Sequence, residues 1–191
     1  MKEDNILKEE IGLKRISIFI DGSNFYHSIK KILKENEIVN YQKLIDFLVE
    51  DRELVSVFYY IASLDINTDL EKYKKHEKFL KKLSEIPSLI IRFCNLKKIK
   101  VTSGRFIYVV KGDDVQLAQD LLLGAFDNLY DMAIIVSEDE DFVPVISTLK
   151  KRFNKEIINA YLRSSSSYKL RNICNFSIKL NKLVSKFIDK K

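Results

Sequence analysis

The chain has no tryptophan, only two prolines and five glycines, and two cysteines and two histidines in 191 residues. So few glycines and prolines exclude a loop-dominated or low-complexity chain and point to regular structure with short connections. Cys94, Cys174, His27 and His76 match no Cys/His metal motif, which excludes a zinc cluster. Both cysteines are expected as buried free thiols, and the two histidines fall on amphipathic helical stretches. The chain therefore offers no good catalytic histidine or nucleophilic cysteine. No apolar run approaches the ~20 residues that span a bilayer, and the mixed-charge start MKEDNILKEE does not read as a signal peptide. A cytoplasmic location and no membrane partner are expected. There is no Gly-x-x-x-x-Gly-Lys-Ser/Thr loop, so a P-loop NTPase is excluded.

What is present is a core-forming composition, 46% hydrophobic and 31% charged, enough for one globular domain over residues 14–191 after a loose arm at 1–13. The net charge of +6 is uneven. Residues 150–191 carry twelve Lys or Arg against Glu156 and Asp189. Residues 87–112 carry six basic side chains and no acid. Such asymmetry points to an anionic partner, nucleic acid above all.

RISIFID, ELVSVFYYIA, LIIRFCN, MAIIVS and KEIINAYL read as strands, several apolar on both faces as buried parallel strands are. Helical spacing follows in NFYHSIKKIL, in YQKLIDFLVE after Asn40 as N-cap, and in DDVQLAQDLLLGAFDNLY. Thr68-Asp69-Leu70-Glu71 is a capping box that opens a charged helix stopped by Pro87. Residues 97–111 read as a hairpin around Ser103-Gly104. FVPVISTLKKR reads as a further helix, KEIINAYL as the last strand, and two helical stretches as the C-terminus. The alternation predicts a three-layer α/β/α sandwich with a mainly parallel central sheet.

Open sheets of this kind bind ligands beyond the carboxyl ends of their strands. Asp21 ends the first strand, and Asp139 and Asp141 lie just past AIIV, so the three converge if those strands are neighbours. The competing readings are a turn role for Asp21 and helix N-capping for Asn24 and Asp141. At ~100° per residue, Asp114 lies on the same stripe as Leu117, Ala118, Leu121 and Ala125, facing the core. A carboxylate there needs a cation or several donors. Asp113, Asp120 and Asp127 share the opposite, solvated flank. Carboxylates gathered at one rim suit Mg²⁺ or Mn²⁺, which bind oxygen ligands and phosphates.

Four ordered blocks, IFIDGSNFY, KGDDVQLAQDLL, YDMAIIVSEDEDFVPVI and KEIINAYLRSSSSYKLRNICNFSIKLNKL, resemble the NYN-domain family, particularly its LabA-like branch, which shares the PIN-like nuclease fold. The resemblance implies a metal-dependent ribonuclease with Asp21, Asn24, Asp114, Asp139 and Asp141 at the catalytic positions. It adds Asp113, which pairs with Asp114 at the helix start, and Asp120 at a recurrent family position. Glu138 stands where the family has glycine, and is either a further acid at the rim or the mark of a different loop.

The expected activity is hydrolysis of RNA by a Mg²⁺- or Mn²⁺-activated water, with Asp21, Asp114, Asp139 and Asp141 as metal ligands and Asn24 orienting Asp21 or a bound water. Lys97, Lys98, Lys100, Arg105, Lys111 and Arg163 are expected to hold the RNA backbone. A narrow acidic cleft favours a single strand, and Phe25, Tyr26 and Tyr108 are candidates for base stacking. The alternative is a catalytically weak or inactive RNA-binding or protein-interaction module that keeps the fold. Self-association is left open. Asp21-Gly22-Ser23-Asn24 lacks the Asp-x-Asp of haloacid-dehalogenase phosphatases.

Overall fold

The computed structural model describes residues 13–64, 70–100, 106–162 and 167–191. β1 (Arg15–Asp21) lies at the centre of a seven-stranded sheet, because both its faces are apolar and must be covered. On one side it pairs in parallel with β3 (Glu53–Ala62), which pairs with β4 (Leu89–Lys100). On the other side it pairs in parallel with β6 (Met132–Val136), followed by β7 (Glu156–Tyr161) and β8 (Phe176–Lys179). Six strands are thus parallel, and β5 (Phe106–Lys111) closes one edge antiparallel to β4. That pair is the expected hairpin, whose Ser103-Gly104 turn lies outside the described residues.

Helices cover both faces, as the alternating pattern requires. On one face α1 (Gly22–Ile29), α2 (Tyr41–Val49) and α3 (Leu70–Ser84) bury Phe25, Leu44, Leu48 and Leu83 against Ile16, Ile18 and Ile20. On the other, α4 (Asp113–Phe126), α5 (Val143–Phe153) and α6 (Tyr168–Ile173) bury Leu117, Leu121, Ile146 and Leu170 against Phe19, Ile135 and Ile157. Asn40 caps α2 as expected, its side chain accepting the Lys43 N–H at 3.0 Å. The capping residues Thr68 and Asp69 lie outside the described residues, as does the arm before Leu13. α4 starts from Gly112, whose φ of 86° is a left-handed conformation that suits glycine. No described helix is long and apolar enough to cross a membrane.

The C-terminus departs from the expected pair of helices. After the short α6 the chain enters β8, passes through two 3₁₀ turns and ends in β9 (Ile188–Lys190), antiparallel to β2 (Glu37–Val39). The apolar positions that suggested helix are used differently: Leu180, Val184 and Phe187 plug the α1–α3 side of the core.

This topology fixes the site. From β1 the chain moves by α1 and α2 toward β3, while from β6 it moves by α5, on the opposite face, toward β7. The two connections diverge, and a crevice opens beyond the carboxyl ends of β1 and β6.

Candidate active site

Two acidic turns border that crevice. Asp21 is the last residue of β1 and only 5% exposed. Its Oδ1 accepts the Asn24 N–H at 2.9 Å, which makes Asp21 itself the N-cap of α1. Its Oδ2 accepts the Ser137 hydroxyl at 3.1 Å. Ser137, one residue past β6, also accepts the Asp139 N–H at 3.2 Å through the same Oγ. Asp139 then caps the 3₁₀ turn Glu140–Phe142, accepting the Asp141 N–H at 3.0 Å. The capping roles weighed for Asn24 and Asp141 therefore fall to Asp21 and Asp139. Proline at the start of α5 suits the first turn, where its missing N–H leaves no partner unmet.

Asp113 and Asp114 open α4 at the third wall. Asp114 is pushed up to about 6, first by burial and then by the charges of Asp113, Asp139 and Asp141. Asp21 is also pushed up to about 6, first by burial, against its two hydrogen bonds, with Asp114 and Asp113 adding to the rise. Asp21, Asp113, Asp114, Asp139 and Asp141 thus share one electrostatic neighbourhood, the convergence inferred from adjacent strands. All-oxygen carboxylate donors in mutual repulsion fit a hard divalent cation. Among the described residues, however, no three His, Cys, Asp or Glu side chains form a ready chelating group.

A consequence can be measured without any activity. A carboxyl whose folded pKa lies above its unfolded value makes the folded state the stronger proton binder between the two. Its contribution to stability is therefore present at low pH and falls as pH rises from the ordinary 3.8 to about 6. In EDTA, Asp114→Asn is expected to gain in melting temperature relative to wild type across that window. A difference that stays flat with pH would show that Asp114 is not held among like charges.

Three predicted positions behave otherwise. Asp120 is neither solvated nor at the rim: it accepts the Tyr60 hydroxyl at 2.9 Å and Arg92 Nε at 3.0 Å, with its side chain 14% exposed. The polar flank of α4 meets the sheet edge there, and Arg92 comes across from β4. Glu138 is buried and turned toward the end of β7, where its Oε1 accepts the Leu162 N–H at 3.0 Å. Glu140 likewise accepts the Ser167 hydroxyl at 3.1 Å and pairs with Lys169 at 3.5 Å. Phe25 is core, whereas Tyr26 is half exposed.

Two residues that the sequence reading did not single out hold the site together. Ser137 bridges Asp21 and Asp139. Asn159, fully buried in β7, donates its amide to the carbonyls of Ser137 at 2.8 Å and Ile135 at 3.3 Å. A lone amide in the apolar run of β7 is the one signal that could have found it. Cys94 and Cys174 are free and buried, and burial pushes the Cys94 thiol up to about 11, away from nucleophilic use.

The basic positions flank the rim. Asp21 is level with Tyr60 and Arg92 across β3 and β4, so Lys97, Lys98 and Lys100 lie on the part of β4 that continues past the crevice. Exposed Lys111 returns opposite Asn95, immediately before α4. Arg105 and Arg163 lie outside the described residues.

No curated protein matches the chain. Among solved structures, a protein of unknown function from Vibrio parahaemolyticus shares the fold with a TM-score of 0.66 at 20% identity, covering 93% of this chain and 97% of its own. The NYN domain matches residues 15–181, nearly the whole described sheet with its helices. The chain belongs to the NYN domain family, a family of PIN-like nucleases.

Proposed function

We propose that the protein is a metal-dependent ribonuclease that hydrolyses phosphodiester bonds in single-stranded RNA. The observation that carries this reading is the meeting of Asp21, Asp114, Asp139 and Asp141 at the crevice between β1 and β6, with two of them pushed toward neutrality by burial and one another's charge. Bound Mg²⁺ or Mn²⁺ supplies an activated water and positive charge for the phosphate oxygens. The protein's share is to hold the acids in place before substrate arrives. Asp21 is locked by the Asn24 N–H and the Ser137 hydroxyl, and Asp139 by its cap on the following turn. Such fixed carboxylates keep one orientation at little entropic cost during the reaction. Asn24, in the first turn of α1, is held next to Asp21 by its own N–H bond to that carboxylate, and its amide is the group assigned to orient Asp21 or a bound water. Lys111 and the β4–β5 hairpin provide the charge that draws an RNA backbone to an otherwise acidic rim.

Labelled single-stranded RNA incubated with the intact protein tests the reading. Cleavage is expected with Mn²⁺ and not with EDTA, giving 5′-phosphate and 3′-hydroxyl ends. RNA that is bound but uncut with Mn²⁺ overturns the nuclease reading in favour of a binding module.

A further inference from the structure

The far end of α4 carries a surface that the acid site does not use. The helix starts at the crevice with Asp113 and ends 14 residues on at Phe126, about 20 Å away. Beside that end a recess of about 160 Å³ opens between α4 and the sheet. Ser17 of β1 and Ser56 of β3 line it, together with Leu123, Leu129 and Tyr130. The two serine hydroxyls bond to each other at 3.1 Å, and the Tyr130 hydroxyl donates to the Leu121 carbonyl at 2.6 Å. Arg92, which also borders the recess, is paired with Asp120 at 3.0 Å. These polar groups already have partners within the chain, so the recess suits an apolar occupant. A cavity of ~150 Å³ is enough for one benzene-sized ring.

Such a ring stands next to it. Phe126 is 74% exposed. Helical phase sets it about 120–160° around α4 from Asp120 and Gly124, which line the recess, so it points away from its own recess. Leu123, Leu129 and, across the sheet edge, Ile90 are 49%, 51% and 41% exposed. Apolar surface of a few hundred Å² gathered in one place marks an interaction site.

We propose that this end of α4 is the two-fold interface of a homodimer, in which Phe126 of each copy fills the recess of the other. An exposed ring and a ring-sized recess side by side on one element are complementary to themselves. A two-fold axis beside Leu123 carries each ring into the opposite recess, and every contact is made twice. A standard interface closes about 800 Å² on each copy. The seated ring and the recess lining add to the exposed patch toward that area, with Gln119 and Asp127 as a polar rim. The crevice at the other end of α4 stays open in both copies, and the proposal does not rest on the ribonuclease reading.

Sedimentation velocity of the full chain, without RNA or metal, tests it. A dimer is expected at micromolar concentration. Phe126→Ala should raise its dissociation constant about thirtyfold or more, as truncating a buried aromatic anchor does. Ser56→Leu, which fills the recess from within, should weaken the dimer although the ring remains. Thermal melting of both variants controls for folding. A measurement on wild type alone needs no substitution: in a dimer of labelled and unlabelled copies, isotope-filtered NOEs should run from the Phe126 ring of one to Leu129 and Tyr130 of the other. A wild type that sediments as a monomer throughout overturns the proposal. A dimer that Phe126→Ala leaves unchanged does so too, as does one whose intermolecular NOEs from Phe126 miss the recess. RNA cleavage enters none of these measurements, so the nuclease reading stands or falls separately.

Discussion

Asp139→Asn is expected to reduce Mn²⁺-dependent RNA cleavage by about 10²–10³-fold while leaving the fold intact. The substitution is nearly isosteric, and the amide retains an oxygen that can accept the Asp141 N–H as Asp139 Oδ1 does at 3.0 Å. Asparagine is as good an N-cap as aspartate, so the 3₁₀ turn into α5 should persist. What disappears is a charge at the rim. Asp139 is one of the groups that push Asp114 up, so its removal also relieves repulsion in the metal-free protein. The variant should therefore melt no lower than wild type in EDTA, yet gain less than wild type on adding Mn²⁺. Paired cleavage and melting curves separate the two effects. Undiminished cleavage would remove Asp139 from the active set, and a large fall in melting temperature would make its role structural.

Gly22→Ala should damage both fold and function through a single methyl group. A Cβ at Gly22 would lie 2.4 Å from the Tyr60 carbonyl oxygen and 2.6 Å from the Tyr59 ring. Neither neighbour can yield readily, since β3 is paired on both sides and both tyrosines are fully buried. Overpacking of this kind costs about 2 kcal/mol, or about 6 °C in a chain of this size. The relief available is a shift of α1 away from β3. Because α1 begins at the Asp21 cap, that shift also drags Asn24 and one wall of the crevice. Thermal unfolding and the cleavage assay should both report a loss. Wild-type values in each would mean that the close approach at Gly22 is easily relaxed.

The strands and most helices were legible because each buries a face with a regular period. β1 and β6 are apolar on both faces, and that pattern alone places them in the sheet interior. Their adjacency was the assumption on which the site depended, and the pairing of Ile16 through Ile20 with Met132 through Val136 bears it out. Asp114 was legible for the same reason, a polar residue at a core-facing phase of α4. Asp120 was misread because helical phase describes only one element. Whether a polar flank meets water or another chain segment depends on Arg92 and Tyr60, more than twenty-five residues away. Ser137 and Asn159 escaped for a similar reason, since their bonds link β1, β6 and β7 and no local pattern records them. The strands β2, β8 and β9 are too short, at three or four residues, for period two to stand out.

The four consecutive acids of residues 138–141 follow a two-residue rhythm. Odd-numbered Asp139 and Asp141 act on Asp114 at the crevice, while even-numbered Glu138 and Glu140 hold Leu162 and Ser167 at the two ends of the β7–α6 connection. The turn thus works as a two-sided comb, with one row of teeth in the crevice and the other in the neighbouring loop. Its meaning depends on register more than on composition. Deleting one residue would leave the acidity almost unchanged but exchange the rows, presenting glutamates to the crevice and aspartates, shorter by one methylene, to a loop they reach less well. A glycine at 138 would remove only a tooth of the outer row. The glutamate at 138 therefore bears on how the neighbouring loop is moored, and the inner row does not depend on it.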